Sequence, residues 1–220
     1  MKHLSKHSYT ISEFQFRKQF EDLFGIKDLE NMHNYLPDFI DFKRENDSAS
    51  LIHKIFYANF QAKLSETYIK FLSSLVPVIG EDFYFQSIPC VRFGFPKCRW
   101  LSEFHTDDKY FHPTQELNIN LAITRTIGSA SLQIEKDPGL GEYIPLDMEY
   151  GEFVFIDHIN CVHGSITNAE MYTMISLDFR VIPLSLSAEA FSDNCSVLEG
   201  KRFARGSYFY EESILEIQCS

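Results

Sequence analysis

The sequence predicts a mainly β fold with helices: a β-sandwich or barrel core preceded by an N-terminal helical extension. From Asp82 onward, short β-type runs alternate with turn residues and show no helical period, a texture typical of a sandwich or barrel. Before that point, apolar residues recur at helical spacing. The composition agrees, because 21 Phe and 11 Tyr suit the half-buried surface of a sheet.

We interpret residues 1–220 as a single domain. Residues 1–80 form a mostly helical support, with one helix expected between Ser12 as N-cap and Gly25 as stop. A longer amphipathic helix is predicted over Ser48–Leu75, with its aromatic stripe in the core. Residues 82–184 form the β core, and residues 185–220 a C-terminal lid or docking segment.

The net charge and the cysteine pattern limit the kinds of partner and the cellular compartment that we expect. A formal net charge of −11, with no Lys/Arg cluster, argues against nucleic acid and against an anionic membrane. Five cysteines without a CxxC pair indicate a reduced chain. With neither a signal peptide nor an apolar run long enough for a bilayer, we expect a cytoplasmic protein. A small-molecule substrate is expected, and a homodimer stays open.

The run Phe104-His105-Thr106-Asp107 carries the chemistry. Residues two apart on a strand point to the same side, so His105 and Asp107 can present an imidazole and a carboxylate to one point. His163, in CVHGSITN, is the best third ligand. Two His and one carboxylate form the facial triad of non-haem iron(II) oxygenases, which leaves open coordination positions.

Other histidines compete for the third position. His112 and His158 are the nearest rivals, and His163 ranks above His158 because it follows an apolar residue and precedes a glycine. The remaining histidines fall in the helical part and are expected to face solvent: His3, His7, His33 and His53.

Several runs together carry a family resemblance: VRFGFP, EFHTDDKYFHPTQELNINLAIT, SLQIEKDPGLGEYIPLDMEYGEFVFID, HGSITN and ISLDFRV. Over roughly residues 88–181 the chain resembles the StrG-like proteins of streptomycin biosynthesis, which are similar to phytanoyl-CoA-type 2-oxoglutarate oxygenases. The resemblance implies that the core over residues 82–184 is a double-stranded β-helix of jelly-roll, cupin-like type, with Fe(II) held by His105, Asp107 and His163. It also implies 2-oxoglutarate and O2 as co-substrates.

One departure concerns the co-substrate. Such oxygenases usually carry an Arg-x-Ser pattern past the second His, and by the resemblance it falls on Met174-Ile175-Ser176. Met174 cannot pair with a carboxylate, whereas an Arg would grip it as a fork. Arg180, which shares a strand face with Ser176, is the first replacement candidate, and Arg92 is the second. Arg99 and Lys109 are weaker, because we place them in loops.

Polar residues on the strands complete the candidate site. Asn118 and Asn120 alternate on one face of LNINLAIT and could hold the inner carboxylate or the substrate. Tyr110 and His112 follow the HxD motif at the expected mouth. Asp107 fills a position that halogenation needs vacant, which favours hydroxylation or a related oxidation of a small metabolite.

Two other functions stay open. A jelly-roll metalloenzyme, an isomerase or a hydrolase, could work without 2-oxoglutarate, and Met174 is its best support. A non-catalytic binding module predicts that the side chains of His105, Asp107 and His163 diverge beyond metal-ligand distances.

Overall fold

The computed structural model describes residues 4–36, 50–101, 103–191 and 203–219. The strands within them are β1 Leu4–Ser8, β2 Phe83–Phe85, β3 Cys90–Gly94, β4 Leu117–Ala122, β5 Gln133–Glu135, β6 Tyr143–Pro145, β7 Glu152–Ile156, β8 His163–Gly164 and β9 Met174–Pro183. The helices are α1 Phe16–Phe24, α2 Leu51–Lys63, α3 Ser65–Ile79, α4 Leu184–Ala190 and α5 Ile214–Cys219. Short 3-10 turns cover Leu29–Tyr35, Asp107–Tyr110 and Gly128–Ala130.

The strands form two antiparallel sheets. The large sheet has the order β1-β7-β4-β9-β2, with β3 also paired to β9, and the small sheet has the order β6-β5-β8. A pocket lies between them, since its walls include Asn118 and Asp178 of the large sheet and His163 of the small one. This is the predicted jelly-roll arrangement.

The central strand β9 separates two environments by simple alternation. Ile175, Leu177, Phe179 and Val181 belong to the apolar core on the helical side. The intervening residues face the other way, and two of them, Asp178 and Arg180, line the pocket. One strand therefore builds the core and the polar pocket at once.

The N-terminal helices cover the outer face of the large sheet. Phe71 of α3 meets Phe179 of β9 and Phe153 of β7 edge to face, with ring centroids 6.3 and 5.3 Å apart. Such T-shaped pairs are the favoured geometry for aromatic rings. The predicted core position of the aromatic stripe is therefore confirmed for the described part of the long helical pattern, residues 50–75.

Several boundaries differ from the sequence prediction. The first helix begins at Phe16, not at Ser12, and ends as expected at Gly25, whose φ of 68° suits a residue without Cβ. The long pattern is two helices, α2 and α3, that meet at Leu64. Positions 48 and 49 of it lie outside the described residues.

Two local predictions failed for tertiary reasons. His53 was expected to face solvent but is fully buried. Its ring meets the ring of Phe93 in β3 edge to face, with centroids 5.1 Å apart. Burial lowers the pKa of His53 to about 4, which keeps its imidazole neutral. Strand β1 was missed because LSKHS is short and half polar, and it forms only by pairing with β7.

The C-terminal residues 203–219 pack against the barrel. Phe203 and Phe209 are buried, and Tyr210 donates its backbone N–H to the carbonyl of Phe85 in β2. Positions 192–202 of the predicted lid or docking segment lie outside the described residues. Within the described ranges, no helix has the length and apolar character that a membrane crossing requires.

Replacing Phe71 by Ala should lower the free energy of unfolding by about 3–5 kcal/mol, because a buried ring that joins α3 to the sheet is lost and a cavity remains. The matched control is Lys70→Ala, one residue away, whose side chain is exposed and pairs only with Glu13 and the Phe14 ring among its described neighbours. It should change stability by less than about 1 kcal/mol. Urea denaturation measures both, and equal effects would contradict this account of the core.

Candidate metal centre

Backbone pairing brings His105 and His163 together across the barrel. The N–H of each residue donates to the carbonyl of the other, at 2.9 Å in both directions. In an antiparallel pair such directly opposed residues carry neighbouring side chains. The two imidazole rings accordingly lie with centroids 4.6 Å apart, although 58 positions separate the residues in the chain.

Asp107 reaches the same point by a route that differs from the expected strand. It is the first residue of the 3-10 turn Asp107–Tyr110, and its N–H donates to the carbonyl of His158 at 2.9 Å. The carboxylate Oδ1 lies 3.4 Å from Nε2 of His105 and 3.4 Å from Nε2 of His163. The three ligand atoms lie within 4.8 Å of one another.

Both histidines are held in the tautomer that a metal requires. Nδ1 of His105 lies 2.7 Å from the carbonyl of Glu103, and Nδ1 of His163 lies 3.1 Å from that of Cys161. A carbonyl only accepts, so each Nδ1 carries the proton and each Nε2 keeps its lone pair for a metal. Ligands about 2.0–2.2 Å from one ion stand about 3 Å apart, so this constellation fits a single metal ion.

Arg180 orients the carboxylate from behind. Its Nη2 donates to Oδ2 of Asp107 at 2.6 Å, which leaves Oδ1 directed at the two histidines. Burial alone would raise the pKa of Asp107, but the charge of the adjacent Arg180 guanidinium opposes burial, and that pKa lies well below its usual range. Asp107 is therefore an ionised candidate ligand with one oxygen already engaged.

A second buried carboxylate, Glu116, supports this arrangement. It lies 2.9 Å from Nδ1 of His112, 3.3 Å from Nε2 of His158 and 3.4 Å from Nε of Arg180. His158, the closest rival as a ligand, thus packs behind Asp107 and contacts its Oδ2 side at 3.7 Å. The structure places His158 in the support of the site.

The large sheet supplies the polar wall of the pocket. Asp178 accepts from Nη2 of Arg92 at 3.0 Å and from Nδ2 of Asn118 at 2.8 Å, while Asn120 lines the same wall. Burial would raise the pKa of Asp178, but Arg180 and Arg92 prevail and hold it at about 2. Asn118 Oδ1 is buried and has no partner among the described protein atoms.

The remaining predicted site residues lie outside the pocket lining. Ser176 is buried opposite Arg92 in the β3–β9 register and lies outside the pocket lining. Arg99 donates to the carbonyl of Ser165, and Lys109 is exposed in the turn after Asp107. Tyr110 meets the His105 ring edge to face at 5.0 Å and is partly exposed.

His112 is not at the mouth. Its ring packs on Phe203 of the C-terminal segment, with centroids 3.9 Å apart, and its Nδ1 is directed at Glu116. It therefore belongs to the support behind Asp107 and does not face an incoming substrate.

Sequence reasoning missed several residues of this site, among them Trp100, Glu116 and Tyr208. Trp100 lines the pocket, and the Tyr208 hydroxyl accepts from Nη1 of Arg180 at 3.1 Å. Glu116 had a usable signal, because it lies four positions after His112 and directly before an apolar strand. Tyr208 lies in the run GKRFARGSYFY, which shares the family resemblance, but only the packing of the C-terminal segment brings it to β9.

The sequence comparison agrees with the geometry. No protein-family model matches the chain. A curated relative, "Streptomycin biosynthesis protein StrG" from Streptomyces griseus, is 28% identical over 201 residues, which cover 91% of this chain and 94% of that protein. The chain is similar to StrG. The predicted resemblance is thereby confirmed, and it extends well beyond residues 88–181 into the helical part.

Solved structures support the fold. A non-haem monooxygenase, the ThoJ-Ni complex, superposes with a TM-score of 0.51 at 11% identity and covers 80% of this chain and 71% of that one. EctD from S. alaskensis, with 2-oxoglutarate and 5-hydroxyectoine, gives 0.50 at 12% identity and covers 94% and 78%. The expected double-stranded β-helix core is confirmed. The side chains of His105, Asp107 and His163 converge, which contradicts the divergence that the non-catalytic binding module predicted.

Asp107→Asn should weaken metal binding by about 100-fold or more, because a neutral amide replaces the charged ligand at the point where the two Nε2 atoms converge. Asp108→Asn is the matched control, since Asp108 is exposed and its side chain bonds only to Thr106 among the described residues. Anaerobic calorimetry with Fe(II) measures both variants. A similar loss in both would exclude Asp107 as a ligand.

Arg180→Met should weaken metal binding by about 10–100-fold while all three ligands remain, because Asp107 loses the partner that orients it. Since a buried cation is removed, Arg180→Lys serves as a second variant that keeps the charge, and it should lose less. Arg125→Met, an exposed arginine over the Tyr172 ring, is the control. Unchanged affinity in a folded Arg180→Met protein would contradict the orienting function.

Proposed function

We propose that this protein is an Fe(II)- and 2-oxoglutarate-dependent oxygenase that oxidises, most simply by hydroxylation, a small metabolite. The observation that carries the proposal is the convergence of two Nε2 atoms and one carboxylate oxygen at the end of a pocket between two sheets. This donor set with open positions is the one that non-haem iron(II) oxygenases use. The similarity to StrG supports a biosynthetic substrate such as a sugar, an aminocyclitol, a nucleotide sugar or an amino-acid derivative.

His105, Asp107 and His163 would hold the metal. Iron(II) bound there, together with 2-oxoglutarate and O2, supplies the oxidising power for attack on a C–H bond. The chain itself orients the ligands: two carbonyls fix the histidine tautomers, and Arg180 fixes Asp107. A carboxylate ligand also occupies the position that a halide would need.

The pocket wall divides into an apolar and a charged part. Leu101, Leu132 and Ile156 contribute apolar surface, which excludes water from the reacting region. Arg92 and Arg180 contribute positive charge on the face formed by β3 and β9. A dianionic co-substrate matches this wall, because a guanidinium pairs well with a carboxylate.

We assign the distal carboxylate of 2-oxoglutarate to Arg92 in preference to Arg180. Two nitrogens of the Arg180 guanidinium already donate to described partners, Nη2 to Asp107 and Nη1 to Tyr208. Its Nε lies 3.4 Å from the Glu116 carboxylate without a hydrogen bond, so its single Nε–H remains beside a group that is already paired. Arg92 donates from one nitrogen, to Asp178, and keeps further N–H groups for a ligand. The register also places Arg92 opposite Ser176, next to the position that Met174 leaves without a cation.

The test combines metal, co-substrate and one variant. Fe(II) and 2-oxoglutarate added anaerobically should produce the weak visible absorbance band of the chelate, and air should then convert 2-oxoglutarate slowly to succinate. Arg92→Met should raise the 2-oxoglutarate concentration needed for the band by about tenfold or more, since one charge-assisted pair is lost. Arg125→Met should leave it unchanged.

A metalloenzyme that does not use 2-oxoglutarate is the alternative, and Met174 favours it. It predicts tight Fe(II) binding without the absorbance band and without succinate. That result, obtained with fully metal-loaded protein, would replace the oxygenase proposal with the alternative.

A further inference from the structure

The indole of Trp100 lies on the pocket face of the large sheet. A Cβ built on Gly94 of β3 would stand 2.7 Å from Cδ1 and 3.2 Å from Nε1 of Trp100, and 3.0 Å from Cε of Met174. Gly94 and Met174 are cross-strand partners. The nitrogen-bearing edge of the indole therefore covers the place where β3 meets the start of β9, and only glycine at position 94 leaves room for it.

The N–H of this indole has no partner. Trp100 is 3% exposed, and its Nε1 is buried without a hydrogen bond to any described protein atom. Buried Trp N–H groups usually find an acceptor, because an unmade bond leaves the desolvation cost uncompensated. Since an indole can only donate, the missing partner must be an acceptor.

Arg92 stands beside this orphaned donor. It is two residues before Gly94 on the same face of β3, and both Arg92 and Trp100 line the pocket. A guanidinium and a neutral N–H that converge on one side of a pocket match an oxygen-rich anion. A carboxylate satisfies both, because its two oxygens accept several hydrogen bonds at once.

We propose that Trp100 Nε1 donates a hydrogen bond to the ligand carboxylate that pairs with Arg92. Resting on the proposed function, this assigns the distal carboxylate of 2-oxoglutarate to an Arg92–Trp100 cradle. Trp100 and Met174 fill the space at the start of β9, and Arg92 on β3 supplies the positive charge of the cradle. Trp100 is then a binding residue that selects a keto acid with a second carboxylate.

The chain offers a direct readout, because Trp100 is its single tryptophan. In the ¹H–¹⁵N spectrum of uniformly labelled protein, one indole N–H cross-peak reports on this site alone. The protein is loaded with diamagnetic Zn(II) in place of iron and titrated with 2-oxoglutarate. Oxalate is the matched ligand, since it also chelates a metal through two oxygens but carries no distal carboxylate.

The proposal expects 2-oxoglutarate to move the indole proton downfield with the same saturation curve that calorimetry gives, and oxalate to bind without that shift. Trp100→Phe, which keeps an aromatic ring but removes the donor, should weaken 2-oxoglutarate binding about tenfold and leave Zn(II) and oxalate binding unchanged. The wild-type spectrum decides the matter if the variant does not fold.

Three outcomes would overturn the proposal, and they differ in whether the oxygenase proposal falls with it. If 2-oxoglutarate binds but the indole signal stays in place, Trp100 is not part of the cradle, although the oxygenase proposal stands. Wild-type affinity of folded Trp100→Phe for 2-oxoglutarate would likewise exclude Trp100 from the cradle and leave the oxygenase proposal standing. If calorimetry detects no 2-oxoglutarate on metal-loaded wild-type protein, both proposals fall together.

Discussion

The alternation of strand β9 is the constraint on which the rest of the structure depends. Its odd-numbered residues, such as Leu177 and Phe179, are buried among the helices, while Asp178 and Arg180 face the pocket. A shift of one residue in register would exchange the two sets, burying charge in the aromatic core and removing Asp178 and Arg180 from the site. Stability and site geometry are thus one property of this strand.

The charged side of that strand is stable only as a network. Asp107 and Glu116 are buried carboxylates that pair with the buried Arg180, and the partly buried Asp178 pairs with the partly buried Arg92. Isolated buried charges would be strongly unfavourable, so each must be paired and hydrogen-bonded. The same pairing fixes Asp107 so that one oxygen faces the histidines. Orientation of a metal ligand and neutralisation of buried charge therefore come from the same contacts.

Much of this could be predicted from residue order. His105 and Asp107 are two apart, and His163 follows an apolar residue before a glycine; the structure brings all three together. The mechanism of convergence was different, because Asp107 begins a 3-10 turn where a strand was expected. Local spacing indicated which side chains could meet, whereas the backbone bridge between His105 and His163 is a pairing of distant segments that no local pattern encodes.

The sequence by itself determined the β-rich core, the helices before it and the three candidate ligands, because these follow from periodicities of two and 3.6 residues and from donor chemistry. Only the tertiary structure decided that Arg180 donates to Asp107, that His158 packs behind the site and that the Trp100 indole covers Gly94. Each of these depends on which strands become neighbours. Strand pairing joins residues that are far apart in the chain, so their partners cannot be determined from local pattern.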